Sequence, residues 1–139
     1  MSLKYIAKFF RKILTVVIAP SCPFNLMRIA IYRVCGFKIG KGTFIGMRCY
    51  LDDVAYDKII IGENVTISYG VYFAAHGHNQ GHNKIIIKDK CYVGMRASII
   101  SPNEDGVTLG SHSVIGASAL VNKSVPDYAT AVGVPCRIL

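Results

Sequence analysis

Ile61-Gly62-Glu63-Asn64-Val65-Thr66, Ile67-Ser68-Tyr69-Gly70-Val71-Tyr72 and Phe73-Ala74-Ala75-His76-Gly77-His78 are three consecutive units of six residues. Each opens on a large apolar side chain. Each carries glycine or a β-branched residue at its fifth place. Neither the helical period of 3.6 nor the strand period of 2 accounts for this. A six-residue period is the mark of a parallel β-helix, in which three units close one triangular coil. The last unit ends in histidines and runs into a polar loop, so scaffold and candidate chemistry share one coil.

Working outward, the leading residues are Ile39, Ile45, Leu51, then Ile61, Ile67, Phe73, then Ile87, Val93, Ile99, then Leu109, Ile115, Val121. Twelve units make four coils. The fifth places, from Thr43, Cys49 and Ala55 to Ser113, Ala119 and Val125, are nearly all small or β-branched, as an inward ladder requires. Asn103 is the misfit. Gly62, Gly94, Gly110 and Gly116 follow a leader, where the chain rounds a corner and a side chain is unwelcome. Coils one and three gain four residues and the second gains eight, all after the last leader. The longest insertion therefore follows directly on His76. A long polar loop on a rigid scaffold is where function concentrates.

The expected fold is all-β: a left-handed parallel β-helix of about four coils after one or two N-terminal α-helices. The division is a helical cap over 1–37 and a repeat domain over 38–139, with a loop at 79–86. Residues 3–17 are amphipathic at helical spacing, with Lys4, Lys8, Arg11 and Lys12 mostly off the apolar stripe. Pro20 and Pro23 stop this helix. Its apolar run is too short to span a bilayer and marginal for a signal peptide. The favoured reading packs it over the open end of the β-helix; the second is an interfacial membrane contact. A further short helix is expected to end at Gly36.

With 139 residues and half of them apolar, the chain can bury a core. A net charge of +8 favours anionic partners without choosing among them. Charge alone, with no recognition helix, does not make a nucleic-acid reader. Cys22, Cys35, Cys49, Cys91 and Cys136 are odd in number, with no paired short spacing. Reduced structural thiols in the cytoplasm are expected, not a disulfide framework or a zinc site.

The chain resembles the hexapeptide-repeat acyltransferases, in particular O-acetyltransferases acting on sugars, such as galactoside and maltose acetyltransferases. The carrying pieces are the repeat, Ile61-Gly62-Glu63-Asn64-Val65 leading to Ala75-His76, Cys91-Tyr92-Val93-Gly94, Val114-Ile115-Gly116-Ala117 and Gly133-Val134-Pro135-Cys136-Arg137. The resemblance implies direct transfer of acetyl from acetyl-CoA to a hydroxyl, with histidine as general base and no metal. By position His76 matches that base, with His78 second and His82 third; His112 reads as surface. The same resemblance places Met95 and Ala117 beside the pantetheine through their backbone, and Asn122, Lys123 and Arg137 near the rest of the cofactor. Asp52 and Asp53 are candidates to bind or orient an acceptor. The asparagine that galactoside acetyltransferases carry before this coil has no match near Arg48-Cys49-Tyr50, and their tryptophan is Tyr92. The family implies a homotrimer with sites between subunits, and location in the cytoplasm, where residues 3–17 could reach the inner face of the membrane. The alternatives are an amine or serine acceptor, a zinc-dependent β-helix enzyme and a non-enzymatic trimeric scaffold.

Overall fold

In the computed structural model, which describes residues 2–77 and 81–139, the repeats wind into a parallel β-solenoid. Sheet A runs β1 (Lys38–Ile39), β4 (Ile59–Ile61), β7 (Ile85–Ile87), β10 (Val107–Leu109). Sheet B runs β2 (Phe44–Ile45), β5 (Thr66–Ile67), β8 (Tyr92–Val93), β11 (Val114–Ile115), β13 (Thr130–Val132), β14 (Arg137–Ile138). Sheet C runs β3 (Tyr50–Leu51), β6 (Tyr72–Ala74), β9 (Ser98–Ile100), β12 (Leu120–Val121).

The six-residue leaders become the inward ladders. Ile39 pairs with Ile61, Ile61 with Ile87, and Ile87's strand with that of Leu109. Ile45, Ile67, Val93, Ile115 and Ala131 stack in sheet B, and Leu51, Phe73, Ile99 and Val121 in sheet C. All are buried. Full burial of one such aliphatic side chain contributes roughly 1.5–3 kcal/mol. Fifth-place residues from Thr43 to Val125 fill the remaining interior, and Asn103, the misfit, is exposed. Beyond the twelve counted units the chain begins a fifth coil: Val125 bridges to Leu109 and β13 pairs with β11. Strand β14 then turns back antiparallel on β13.

Two of the three corners are tight and identical from coil to coil. Three places after a leader stand Arg48, Asn64, Lys90, Arg96, His112, Ser118 and Tyr128, all with φ between 54° and 61°. Gly42 and Gly70 occupy the same place at φ 72°. A left-handed non-glycine residue costs roughly 1–2 kcal/mol. Backbone bonds between corners offset it, as from Lys90 N–H to the Glu63 carbonyl and from Ser118 N–H to the Met95 carbonyl. Here Gly94 is obligatory, because a Cβ would lie 2.6 Å from the Ala117 nitrogen on the next coil. The third corner, after sheet C, has no left-handed residue three places after its leaders Leu51, Phe73, Ile99 and Val121, and it takes every insertion.

The insertion of the second coil is shorter at its far end than 79–86. Ile85 and Ile86 already belong to β7, because Ile85 pairs with buried Ile59 and is itself fully buried. Residues 79 and 80 lie outside the described residues.

The N-terminal segment caps the first coil with side chains. A helix over Leu3–Lys12 continues through a wider turn, Ile13–Ile18, to Ala19–Ser21, and a second helix spans Asn25–Val34 before Gly36 at φ 105°. The edge of β2 has no coil before it, so its polar groups need other partners. Asn25 supplies two: its Oδ1 accepts from Ile45 N–H at 3.0 Å and its Nδ2 donates to the Thr43 carbonyl at 3.2 Å. Arg28 Nε donates to the Ile45 carbonyl at 2.7 Å, and Arg33 reaches the carbonyls of Ile39 and Gly40. Arg48 N–H donates to the Pro20 carbonyl, which stands in for the missing coil. Residues from Thr15 onward pack over the open end. Leu3–Lys12 buries no side chain, and it turns Arg11 and Lys12 to the body. Among the described residues no helix is long and apolar enough to cross a membrane.

Four of the five thiols are buried, and burial pushes Cys91 up to about 11 against the opposing Ser113 hydroxyl. Such thiols are inert at neutral pH. Asn25→Ala should lower stability by about 1–3 kcal/mol, the value of two hydrogen bonds with buried partners orphaned. A Tm equal to wild type in thermal unfolding would show that water satisfies the edge.

Candidate functional site

The third corner gathers the polar groups. Leu51 and Phe73 stack, so the residues after them leave sheet C side by side. Asp52 turns into the gap and is fully buried. A buried carboxylate costs several kcal/mol unless it is partnered. Asp52 has three partners. Val54 N–H donates to Oδ1 at 3.0 Å and Ala75 N–H to Oδ2 at 2.8 Å. His76 Nδ1 makes a direct hydrogen bond to the same Oδ2.

A carboxylate only accepts, so this contact selects the imidazole tautomer with its proton on Nδ1. Among the described residues the Nε2 lone pair has no partner. The His76 side chain is 33% exposed and that of Asp52 not at all. The pair is thus a half-open imidazole with a fixed orientation, able to take a proton on its outer nitrogen. The charge that then appears on the ring is balanced by Asp52.

Backbone pairing of residues 75–77 with 81–83 holds the imidazole in place. His76 bridges to His82 across antiparallel backbone, Gly77 N–H donates to the Gly81 carbonyl, and Asn83 N–H donates to the Ala75 carbonyl at 2.6 Å. Buried Asn83 donates from Nδ2 to the Ser101 carbonyl, and the Ser101 hydroxyl donates to the Lys84 carbonyl. The base of the loop is therefore tied to the third coil. His78 lies outside the described residues. Beside these paired segments a cleft of about 590 Å³ is lined by Gly81, His82, Asn83, Pro102, Asn103, Glu104 and Asp105. His82 lines this cleft and His76 does not.

Asp52 and Asp53 part company. Asp52 is sealed beneath His76 and has no surface to offer an acceptor. Asp53 is also buried, held by Lys12 Nζ at 3.3 Å and the Tyr50 hydroxyl at 3.4 Å. Its lysine is mostly exposed, so this ion pair contributes no more than about 1 kcal/mol. Burial, with the carboxylates of Asp52 and Asp53 adding to it, pushes the Tyr50 phenol far above its usual range and keeps it a donor.

The other five candidates are exposed and do not gather around His76. Met95 and Ala117 stack on adjacent coils at the corner between sheets B and C, joined through the Ser118 N–H to Met95 carbonyl bond. Asn122 and Lys123 follow β12 at the third corner, two coils beyond His76. Arg137 lies in β14, paired with Val132 at the end of sheet B. His112 is exposed and stacks on Tyr128 at 4.7 Å.

Sequence reasoning missed the carboxylate under the base and the Asn83–Ser101 anchor. One signal was present: Asp52 and Asp53 are the first acidic residues in the chain. They come directly after a leader, one coil before the histidine.

The chain matches the repeat pattern described as "Hexapeptide repeat of succinyl-transferase" over residues 37–74 and 84–123. It is similar to the Bacillus subtilis (strain 168) protein named "Putative acetyltransferase YvoF", 32% identical over 136 residues, covering 95% of this chain and 77% of that protein. It is also similar to the serine acetyltransferase of the same organism, 33% identical over 108 residues. That match covers 75% of this chain but only 48% of the relative, so the chain spans about half of that enzyme. The fold is shared with the hexapeptide-repeat acetyltransferase VCA0836 of Vibrio cholerae O1 biovar eltor, solved with acetyl-CoA. The TM-score is 0.78 at 24% identity, over 99% of this chain and 88% of that one.

In a ¹H–¹⁵N spectrum His76 should show the Nδ1–H tautomer, and Asp52→Asn should shift it toward Nε2–H. A wild-type ring already in the Nε2–H form would contradict the geometry.

Proposed function

The chain belongs to the hexapeptide-repeat acetyltransferase family, and we propose that it transfers the acetyl group of acetyl-CoA to a hydroxyl of a sugar or polysaccharide precursor, with His76 as general base. The observation that carries this reading is the Asp52–His76 hydrogen bond, which engages Nδ1 and leaves Nε2 for the acceptor.

His76 Nε2 takes the proton of the acceptor hydroxyl as its oxygen bonds to the thioester carbonyl carbon. Asp52 steadies the imidazolium. The tetrahedral intermediate collapses with rupture of the C–S bond, and the imidazolium returns its proton to the departing sulfur, giving free CoA thiol. The base contributes roughly 10²–10⁴-fold. Met95 and Ala117 border the pantetheine through their backbone, and the small Ala117 side chain lets the thin arm lie against the coil. Asn122 is a polar contact, and the exposed cations Lys123 and Arg137 meet phosphate charge.

These residues occupy two corners and one sheet end of a single chain. That dispersal supports a homotrimer in which the base of one subunit faces the cofactor surface of its neighbour. Buried, reduced thiols support a cytoplasmic setting. The cleft lining, rich in carboxamides and carboxylates, suits hydrogen bonding to a polyol. A serine acceptor is the second reading, favoured by the match to serine acetyltransferase. Among the described residues neither lysine nor arginine lines the cleft to meet an amino-acid carboxylate, and Glu104 and Asp105 would repel one, which weighs toward the sugar.

Incubating the protein with acetyl-CoA and a panel of sugars, amino sugars and serine, and following thiol release, separates the acceptors. Release with serine alone would overturn the sugar assignment. His76→Ala should cut turnover by roughly 10²–10⁴-fold while acetyl-CoA binding by calorimetry stays nearly unchanged. Undiminished turnover would move the base elsewhere. Arg137→Ala should raise the Kd for CoA more than it lowers turnover, and an unaltered Kd would remove Arg137 from the site.

A further inference from the structure

The first helix is mounted the wrong way round for a protein in water. A surface helix normally turns its apolar side to the body and its charges outward. Here Arg11 lies 3.9 Å over the Tyr56 ring and Lys12 pairs with Asp53. Buried Thr15 and Ala19 continue that body-facing side. Leu3, Ile6 and Phe10 fall on the other arc at 100° per residue, and they are 84%, 37% and 58% exposed; Val17, in the wider turn, is 55% exposed. Phe9 and Ile18 extend the exposed apolar ridge.

Charge is concentrated at the same end. Nine of the sixteen basic residues precede Asp52, and none of the eight acidic ones does. The remainder of the chain, with seven basic and eight acidic residues, is close to neutral.

We propose that the helix Leu3–Lys12 docks the protein on an anionic lipid bilayer. Lying in the interface, its ridge of Leu3, Ile6 and Phe10 enters the acyl region. Lys4 and Lys8, exposed on the flank between the ridge and the body, sit at headgroup depth within reach of the lipid phosphates, and the β-helix stands on the aqueous side. A second copy of the chain is the poorer occupant. Two such ends would bring like charges together, with no acidic residue in 1–51 to pair them. Nucleic acid offers no apolar phase to cover the ridge. The docked helix ends at Lys12, whose partner Asp53 adjoins Asp52, so the bilayer lies beside the third corner.

The test is sedimentation of the full chain with vesicles of phosphatidylcholine alone or with one quarter phosphatidylglycerol. Binding is expected to the second kind only, weakened but not abolished by raising salt from roughly 0.1 M to 0.5 M. The double variant Leu3→Ser, Phe10→Ser should lower partitioning at least about tenfold, with its Tm unchanged. Absence of binding to anionic vesicles, or equal binding by the variant, overturns the proposal. So does lipid-free self-association that the variant abolishes, which would assign the ridge to a second copy. Thiol release with soluble acceptors is measured separately, so failure of docking and failure of acetyl transfer are distinguishable.

Discussion

Everything in this molecule depends on coil-on-coil register. Each inward side chain rests on the equivalent residue one coil away, so a slip by one residue would turn a whole ladder outward. The left-handed corner residues exist to keep that register. At two corners they fix the chain's path so tightly that Gly94 has no room for a methyl group. Extra chain can leave the solenoid only at the third corner, and the Asp52–His76 pair is there. Rigidity at two edges confines both variation and chemistry to the last one.

The repeat frame also explains how a buried carboxylate is tolerated. Asp52 replaces lost hydration with two backbone N–H groups and an imidazole, all fixed by the stacking of β3 on β6. Asn83 and Ser101 tie the returning end of the loop to the third coil. The base is thus positioned by three successive coils, which is the preorganisation that proton transfer needs.

Most of the frame was legible from residues because its period is strict and its leaders are large and apolar. Ile39 through Val121 could be assigned to ladders one by one. The site was only half legible. His76 stood out as the end of the repeat run before the longest insertion. The role of Asp52 did not, because its contact spans 24 residues and depends on which way one side chain turns at an irregular corner. The count of about four coils holds, and the partial turn that begins at Val125 was hidden because that residue is both the fifth place of one unit and the start of the next. The orientation of the first helix was hidden for a related reason: periodicity reveals that two faces differ, not which of them meets the body.

The reversed strand β14 has a consequence of its own. A solenoid whose last coil ended in parallel strands would offer its edge as a template for another molecule's first coil, and stacking could continue without limit. β14 runs against its neighbour and occupies that edge, while Asn25, Arg28 and Arg33 occupy the opposite one. Both edges of sheet B are thereby closed to a further parallel strand, which disfavours open-ended stacking.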